Sequence, residues 1–384
     1  MRIIVRAHHH RLCPGGPIVA ARLGAVDAVD TSRIDHYLRT LWEHKGSDLL
    51  LVAGAAPMVR IDGALRPIGG EEPLTAERVE NIVFAMLGPD LSARLKEERE
   101  IDFSFGWEWQ ARFRGNAFYQ RGSVGLALRL IPREIPTFEQ LGLPPVIEEL
   151  ANAPQGLVLV TGPTGSGKST TLASMIRFIS DHRACHILTL EDPIEYHHEH
   201  SRSAVTQREI GTDSRSFARG LRSALREDPD VLLIGEMRDP ESIQIALSIA
   251  ETGHLVFATL HTNDASQAID RIIDVFPAES QGQIRIQLAA TLVGVVAQRL
   301  VPKIGGGRVA AFEVLLPNTA VRNLIREGKT EQLRNVIATG QRAGMVTLDA
   351  ALRDLVTRGL IAPESAAAVS GKAGQFGAAP AAAG

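Results

Sequence analysis

Gly162-Pro163-Thr164-Gly165-Ser166-Gly167-Lys168-Ser169-Thr170 satisfies the spacing G-x-x-x-x-G-K-[ST]. Glycines at these positions let successive backbone N–H groups turn toward a phosphate, and a helix that follows adds its positive N-terminal end. Lys168 would then neutralise β/γ oxygens, and the Ser169 hydroxyl could ligate Mg²⁺. A Gly/Ser turn that binds nothing is the alternative. Context argues against it: Leu157–Val160 is an all-apolar run fit for a buried strand, and Leu172, Met175, Ile176 and Ile179 repeat at helical spacing after the loop.

Three further segments place reactive side chains at the ends of apolar runs. Glu191-Asp192-Pro193-Ile194-Glu195 follows Ile187–Leu190, so Glu191 and Asp192 are candidate Mg²⁺ ligands; a charged turn is the other reading. Val231–Ile234 leads through Gly235 to Glu236, whose carboxylate is placed to polarise an attacking water. Glu195 is the reserve base. His254 and His261 bracket the run Leu255–Leu260, and with no third ligand nearby they suggest a γ-phosphate sensor rather than a metal site. Arg112, Arg114, Arg129 and Arg133 lie far upstream. Phosphoryl transfer needs positive charge on the γ-phosphate, often supplied in trans, so Arg112 and Arg129 are candidate donors; a salt-bridged sheet face is equally consistent.

The elements that must position these groups form two domains. The chain has 384 residues, 45% apolar and 22% charged, close to a globular average. Its net charge of −3 gives no polyanion-binding excess. Cys13 and Cys185 are too few for a zinc site or a disulfide framework, which suits a reducing compartment. No stretch reaches the ~20 apolar residues of a membrane span; Ala289–Ala297 reads as a core helix. His8-His9-His10 reads as part of a flexible extension over 1–30.

Residues 31–135 read as a small α+β domain. Thr31 or Ser32 caps a first helix, Asp48–Val52 and Met58–Ile61 form a hairpin through Asp62-Gly63, a second helix stops at Gly88-Pro89, and three strands follow. Prolines mark a linker over 136–145. Residues 146–362 read as a parallel α/β domain that becomes mostly helical from Glu279, with one strand around Ala311–Leu316. The Ala/Gly-rich segment 363–384 reads as a disordered tail.

Together the motifs resemble the secretion ATPase superfamily, and within it the type IV pilus retraction (twitching-motility, PilT) family. GPTGSGKSTTLA (162–173), LEDPIE (190–195), LREDPDVLLIGEMRDPES (225–242) and TGHLVFATLHTNDA (252–265) match nearly letter for letter. The segment Ala320–Glu327 is similar to that family's AIRNLIRE, with Val321 for Ile. Leu50 stands where His is common and Gly115 where Val is usual, and the uncharged tail departs from the family.

The resemblance implies a RecA-like P-loop ATPase domain preceded by a PAS-like domain, in a homohexamer. It implies ATP with Mg²⁺, docking on an inner-membrane pilus platform protein at the cytoplasmic face without spanning the membrane, and retraction of the pilus. Zinc and nucleic acid are not expected. Alternatives are an accessory retraction ATPase, a pilus-extension or type II secretion ATPase, which usually carries a tetracysteine motif, and a nucleic-acid translocase. The exposed face of 320–327, with Arg322 and Asn323, is expected to be free for a partner.

Overall fold

The computed structural model describes residues 4–7, 28–107, 111–132, 134–372 and 374–376. The chain divides into two compact units, Met1–Glu134 and Ile135–Gly384.

The first unit contains β1 (Ile4–Ala7), α1 (Ala28–Glu43), β2 (Asp48–Leu51), β3 (Met58–Ile61), β4 (Ala64–Pro67), α2 (Ala76–Glu98), β5 (Glu100–Trp107), β6 (Ala111–Gln120) and β7 (Ser123–Pro132). The strands join antiparallel in the order β1-β5-β6-β7-β2-β3-β4. Alternation buries Phe103, Phe105 and Phe113 with Tyr37 and Leu41 of α1 and Ile82 and Met86 of α2. Buried polar tips find partners: Trp107 Nε1 donates to Asp35 at 2.8 Å, and the Tyr37 hydroxyl to Glu71 at 2.9 Å. On β6 the side chains of Arg112 and Arg114 alternate with the buried Ala111, Phe113 and Ala117. Gly115 alternates with them toward the core, and a Cβ there would come within 2.7 Å of the Phe103 ring and 2.8 Å of Leu128. The glycine makes room for that ring.

Three expectations change here. The segment 1–30, with the histidine cluster, lies largely outside the described residues, but Ile4–Ala7 within it pairs with the open edge of β5. The Thr31 and Ser32 side chains also lie outside the description, and α1 already begins at Ala28. Gly88-Pro89 breaks the helical ladder without ending the segment. Gly88 takes φ 73°, ψ 176°, and the helix resumes to Glu98, because Pro89 needs no donor partner in a new first turn.

The second unit contains α3 (Phe138–Leu141), α4 (Val146–Ala151), β8 (Gly156–Thr161), α5 (Lys168–His182), β9 (His186–Glu191), β10 (Ala204–Glu209), α6 (Phe217–Ala224), β11 (Val231–Ile234), α7 (Pro240–Glu251), β12 (Leu255–Leu260), α8 (Ala265–Asp274), α9 (Ala278–Thr291), β13 (Leu292–Pro302), β14 (Arg308–Leu315), α10 (Thr319–Glu327), α11 (Leu333–Thr339), α12 (Leu348–Thr357) and α13 (Pro363–Ser370). Its sheet runs β10-β9-β11-β12-β8-β13-β14, parallel except for β14. Helices cover both faces, so β8, β11 and β12 are buried throughout and read as continuous apolar runs. All the parallel strands point their C-terminal ends to one edge, where crevices bind ligands in such sheets.

The core helix expected over Ala289–Ala297 is instead the end of α9 and the start of β13. Val293, Val295 and Val296 are β-branched, and the strand fills the slot between β8 and β14. A short apolar run does not distinguish the two structures; the pairing partners decide. Order also extends past residue 362. Pro363 and Glu364 start α13 as good first-turn residues, and Ala366 and Phe376 are buried with Val301, Ala311 and Leu352. Residues 373 and 377–384 of the expected tail lie outside the described residues.

The helix α10 is amphipathic, with Val321 and Ile325 buried. Its polar face is not all free, contrary to expectation. Arg322 Nη1 donates to the carbonyls of Ala289 and Ala290, the latter at 3.0 Å, and Nη2 to Leu292 at 3.3 Å. A cation on the last carbonyls of α9 satisfies groups that a helix end leaves open. Arg322→Ala should therefore lower the stability of the chain by about 1–3 kcal/mol, the cost of leaving buried carbonyls without their donor. Urea unfolding checks this, and Asn323→Ala, whose side chain is exposed, should change it little.

Candidate functional site

Glycine conformation curves the loop between β8 and α5: Gly162, Gly165 and Gly167 have φ of 146°, 77° and 90°. A Cβ on Gly162 would strike the Gln298 carbonyl, and one on Gly167 would lie 2.7 Å from Gln298 Nε2. Gln298, buried on β13, therefore forms the floor of the loop, and its Oε1 accepts from the Thr171 hydroxyl at 2.8 Å. In sequence this segment reads as helical, so nothing local marks Gln298 as a strand residue beneath the loop. Lys168 opens α5 and is only 8% exposed; its Nζ donates to the carbonyls of Gly162 at 2.8 Å and Pro163 at 3.1 Å. Burial lowers its pKa, while the charges of Glu236 and Glu195 oppose that shift. The Ser166 hydroxyl is buried without a protein partner. An orphaned donor beside N–H groups that glycine turns inward fits an anion such as a nucleotide phosphate.

Glu236 follows β11 beyond Gly235. Arg238 holds it in a fork, Nε to Oε1 at 2.6 Å and Nη2 to Oε2 at 2.6 Å, and His261 Nε2 lies 3.3 Å from Oε2. Burial alone would raise its pKa, but Arg238 and His261 outweigh that and hold it below the usual carboxylate range. It is ionised at neutral pH, as a base must be. Arg238 itself was not singled out from the sequence; only its place two residues after the acid hints at the fork.

The carboxylates after β9 divide. Glu191 accepts from the Thr189 hydroxyl at 2.7 Å and from Gln207 Nε2 at 3.3 Å, and burial pushes its pKa up to about 7. Both donors reach Oε1, and Asp192 and Ser169, the other two expected Mg²⁺ ligands, lie at the same edge of the sheet. Gln207 also donates to the Tyr196 carbonyl at 2.8 Å. The Tyr196 hydroxyl meets Thr170 Oγ1 at 2.9 Å, which ties the Glu195 loop to the phosphate-loop helix. Thr164 and Gly165 are exposed at the loop's tip.

The two histidines separate. His261 emerges after β12 at the same edge as Gly162, because Leu260 pairs with Thr161. His254 precedes β12, at the opposite edge. Its Nδ1 contacts the Ile249 carbonyl at 3.1 Å, at the end of α7. A strand of this length spans ~20 Å at ~3.3 Å per residue, so His254 cannot sense a phosphate in its own subunit, which corrects that assignment. In the first unit, Arg129 Nε pairs with Asp48 at 2.9 Å and is 68% exposed, and Arg112 Nη2 donates to Ser104 at 2.8 Å. Arg133 lies outside the described residues. No group of three or more His, Cys, Asp or Glu fit to hold a metal occurs among the described residues.

Residues 33–343 match the family described as Type II/IV secretion system protein. The chain is 50% identical over 320 residues to the type IV pilus retraction ATPase PilT of Pseudomonas aeruginosa, covering 83% of this chain and 93% of that protein. It is 49% identical over 316 residues to a twitching motility protein of Neisseria gonorrhoeae, covering 82% and 84%. Its fold is similar to the crystal structure of the pilus retraction motor PilT with bound ADP, with a TM-score of 0.78 at 49% identity, over 88% of this chain and 96% of that one. These likenesses agree with a RecA-like P-loop domain behind a PAS-like one.

The fork on Glu236 generates a pH prediction. Arg238 helps hold that carboxyl low in the nucleotide-free site, so Arg238→Gln should raise its pKa there and move the acidic limb of kcat/KM, which reports the free enzyme, to higher pH. An acidic limb of kcat/KM that does not move contradicts the role of Glu236 as base.

Proposed function

The chain belongs to the type II/IV secretion system protein family, and we infer that it is an ATP-hydrolysing motor that drives retraction of the type IV pilus. One observation carries the chemistry. Lys168, Glu236 and His261 meet at the single edge where β8, β11 and β12 end, above a loop that only glycines can form. The direction of pilus movement rests on the relatives' identity.

Lys168 exchanges its bonds to the loop carbonyls for β/γ-phosphate oxygens, and the Ser166 hydroxyl and loop N–H groups take the remaining acceptors. Mg²⁺, when bound, would supply positive charge against the developing charge of the phosphates. Ser169 would hold it, with Glu191 and Asp192 the carboxylates at the same edge; Mg²⁺ keeps several waters and needs few protein ligands. Glu236, released from Arg238, orients the attacking water and takes its proton. His261, 3.3 Å from Glu236, links that carboxylate to the state of the γ-phosphate. Glu195 is the next candidate if Glu236 is not the base.

Arg112 and Arg129 complete the site from a neighbouring subunit of a homohexamer. Arg129 is well exposed, and its ion pair with the partly exposed Asp48 carboxylate costs little to break. The ring sits at the cytoplasmic face of the inner membrane on a pilus platform protein. No helix among the described residues is long and apolar enough to cross a membrane.

Lys168→Ala should abolish tight ATP binding, while Glu236→Gln should bind ATP and lose at least about a hundredfold in kcat, the scale of a general base. Nucleotide titration and single-turnover kinetics separate the two. Cells carrying Lys168→Ala in place of the wild type should show excess surface pili and no twitching; cells without pili would mean extension instead.

The trans arrangement predicts complementation. Chains with Arg112→Ala and Arg129→Ala should be inactive alone, as should Lys168→Ala chains, and mixing the two should restore turnover at mixed interfaces. A mixture as inactive as its parts places the arginines in cis or outside the reaction.

A further inference from the structure

The loop that carries His261 is fastened to the phosphate loop by one buried hydroxyl. Thr161 is the last residue of β8 and immediately precedes Gly162; it is fully buried. Its Oγ1 lies 2.7 Å from the Thr262 carbonyl, 2.6 Å from Thr262 Oγ1 and 3.1 Å from the Thr262 N–H. A hydroxyl has one proton and two lone pairs. Donating to the Thr262 carbonyl and accepting from the Thr262 N–H and hydroxyl uses all three, and the Leu260 carbonyl at 3.3 Å is then a secondary contact. The backbone ladder between β8 and β12 ends at Thr161 and Leu260. The hydroxyl therefore carries the junction one step beyond the sheet, across His261.

The other flank of β12 is fastened in the same way. The buried Thr259 hydroxyl donates to the Gly235 carbonyl, and Met237 N–H donates to the Thr259 carbonyl at 3.2 Å. These bonds enclose Glu236. His261 thus sits between two threonine-fastened turns, one leading to Gly162 and the other to Glu236, with its Nε2 at 3.3 Å from the Glu236 carboxylate.

We propose that Thr161 is a positioning residue that sets His261, and through it Glu236, at a fixed place relative to the phosphate loop, so that turnover depends on this hydroxyl while diphosphate binding does not. The inference rests on His261 facing the γ-phosphate. A buried hydrogen bond contributes about a factor of ten, and a shifted catalytic contact has effects of that size or more.

The test uses full-length chain. Thr161→Val keeps the shape and removes the hydroxyl; Thr161→Ser keeps the hydroxyl. Thr161→Val should lose about tenfold in kcat with ADP affinity and KM for ATP unchanged, and Thr161→Ser should stay near wild type. Combined with His261→Ala, Thr161→Val should add no further loss, since both would act through one side chain. If Thr161→Val does not fold, Thr262→Val, which removes only the hydroxyl pair at 2.6 Å, should show a smaller loss of the same pattern. ADP affinity falling in step with kcat, or a loss additive with His261→Ala, overturns the positioning role and leaves His261 in place. Wild-type turnover in His261→Ala alone removes the role of His261 and this one with it.

Discussion

Everything at this site depends on holding one ammonium group, Lys168, nearly out of water beside carbonyl oxygens and under the field of two carboxylates. Burying a charge without partners costs several kcal/mol, so the chain surrounds it. Gly162 and Pro163 supply acceptors, and Glu236 and Glu195 supply opposite charge. Those acceptors exist only because the loop doubles back, which needs left-handed glycines at 165 and 167. The loop in turn needs a floor, which Gln298 provides. A phosphate that enters this setting meets charge already desolvated and oriented, the condition under which electrostatic stabilisation is strongest.

The parallel sheet is the reason such distant residues converge. Glu195, Glu236 and His261 lie far apart in sequence, yet each follows a strand whose C-terminal end reaches the same edge. Neighbouring turns are then joined by side chains: Tyr196 to Thr170, Arg238 and His261 to Glu236, Thr161 to Thr262. At the far end of β13 the chain is equally bound, where Arg322 of α10 closes the carbonyls of α9. The strand that floors the loop is thus held at its start by the helix whose sequence pointed to retraction.

Much of this was legible in the sequence because the signals were local. A phosphate loop needs glycines at fixed spacing, and a buried parallel strand is a continuous apolar run, so β8, β9, β11 and β12 and the groups at their ends could be read directly. What failed was non-local. β13 has apolar residues that suit helix or strand, and only its neighbours β8 and β14 decide. Arg322 looked free because a helical wheel shows which side a residue faces and not what lies there. His254 and His261 looked equivalent until the direction of β12 put them at opposite edges. The order of 363–370 and Phe376 depends on a pocket made by α12 and β14, which composition cannot reveal.

The most direct measurement is a crystal structure of the full chain with Mg²⁺ and a non-hydrolysable ATP analogue. The account predicts that Lys168 Nζ leaves the Gly162 and Pro163 carbonyls for β/γ oxygens, that Glu236 lets go of Arg238 and faces a water in line with the γ-phosphate, and that an arginine of the neighbouring subunit reaches that phosphate. A bound analogue with Glu236 still forked by Arg238 and turned from the γ-phosphate, and with Lys168 still on its own carbonyls, would contradict it.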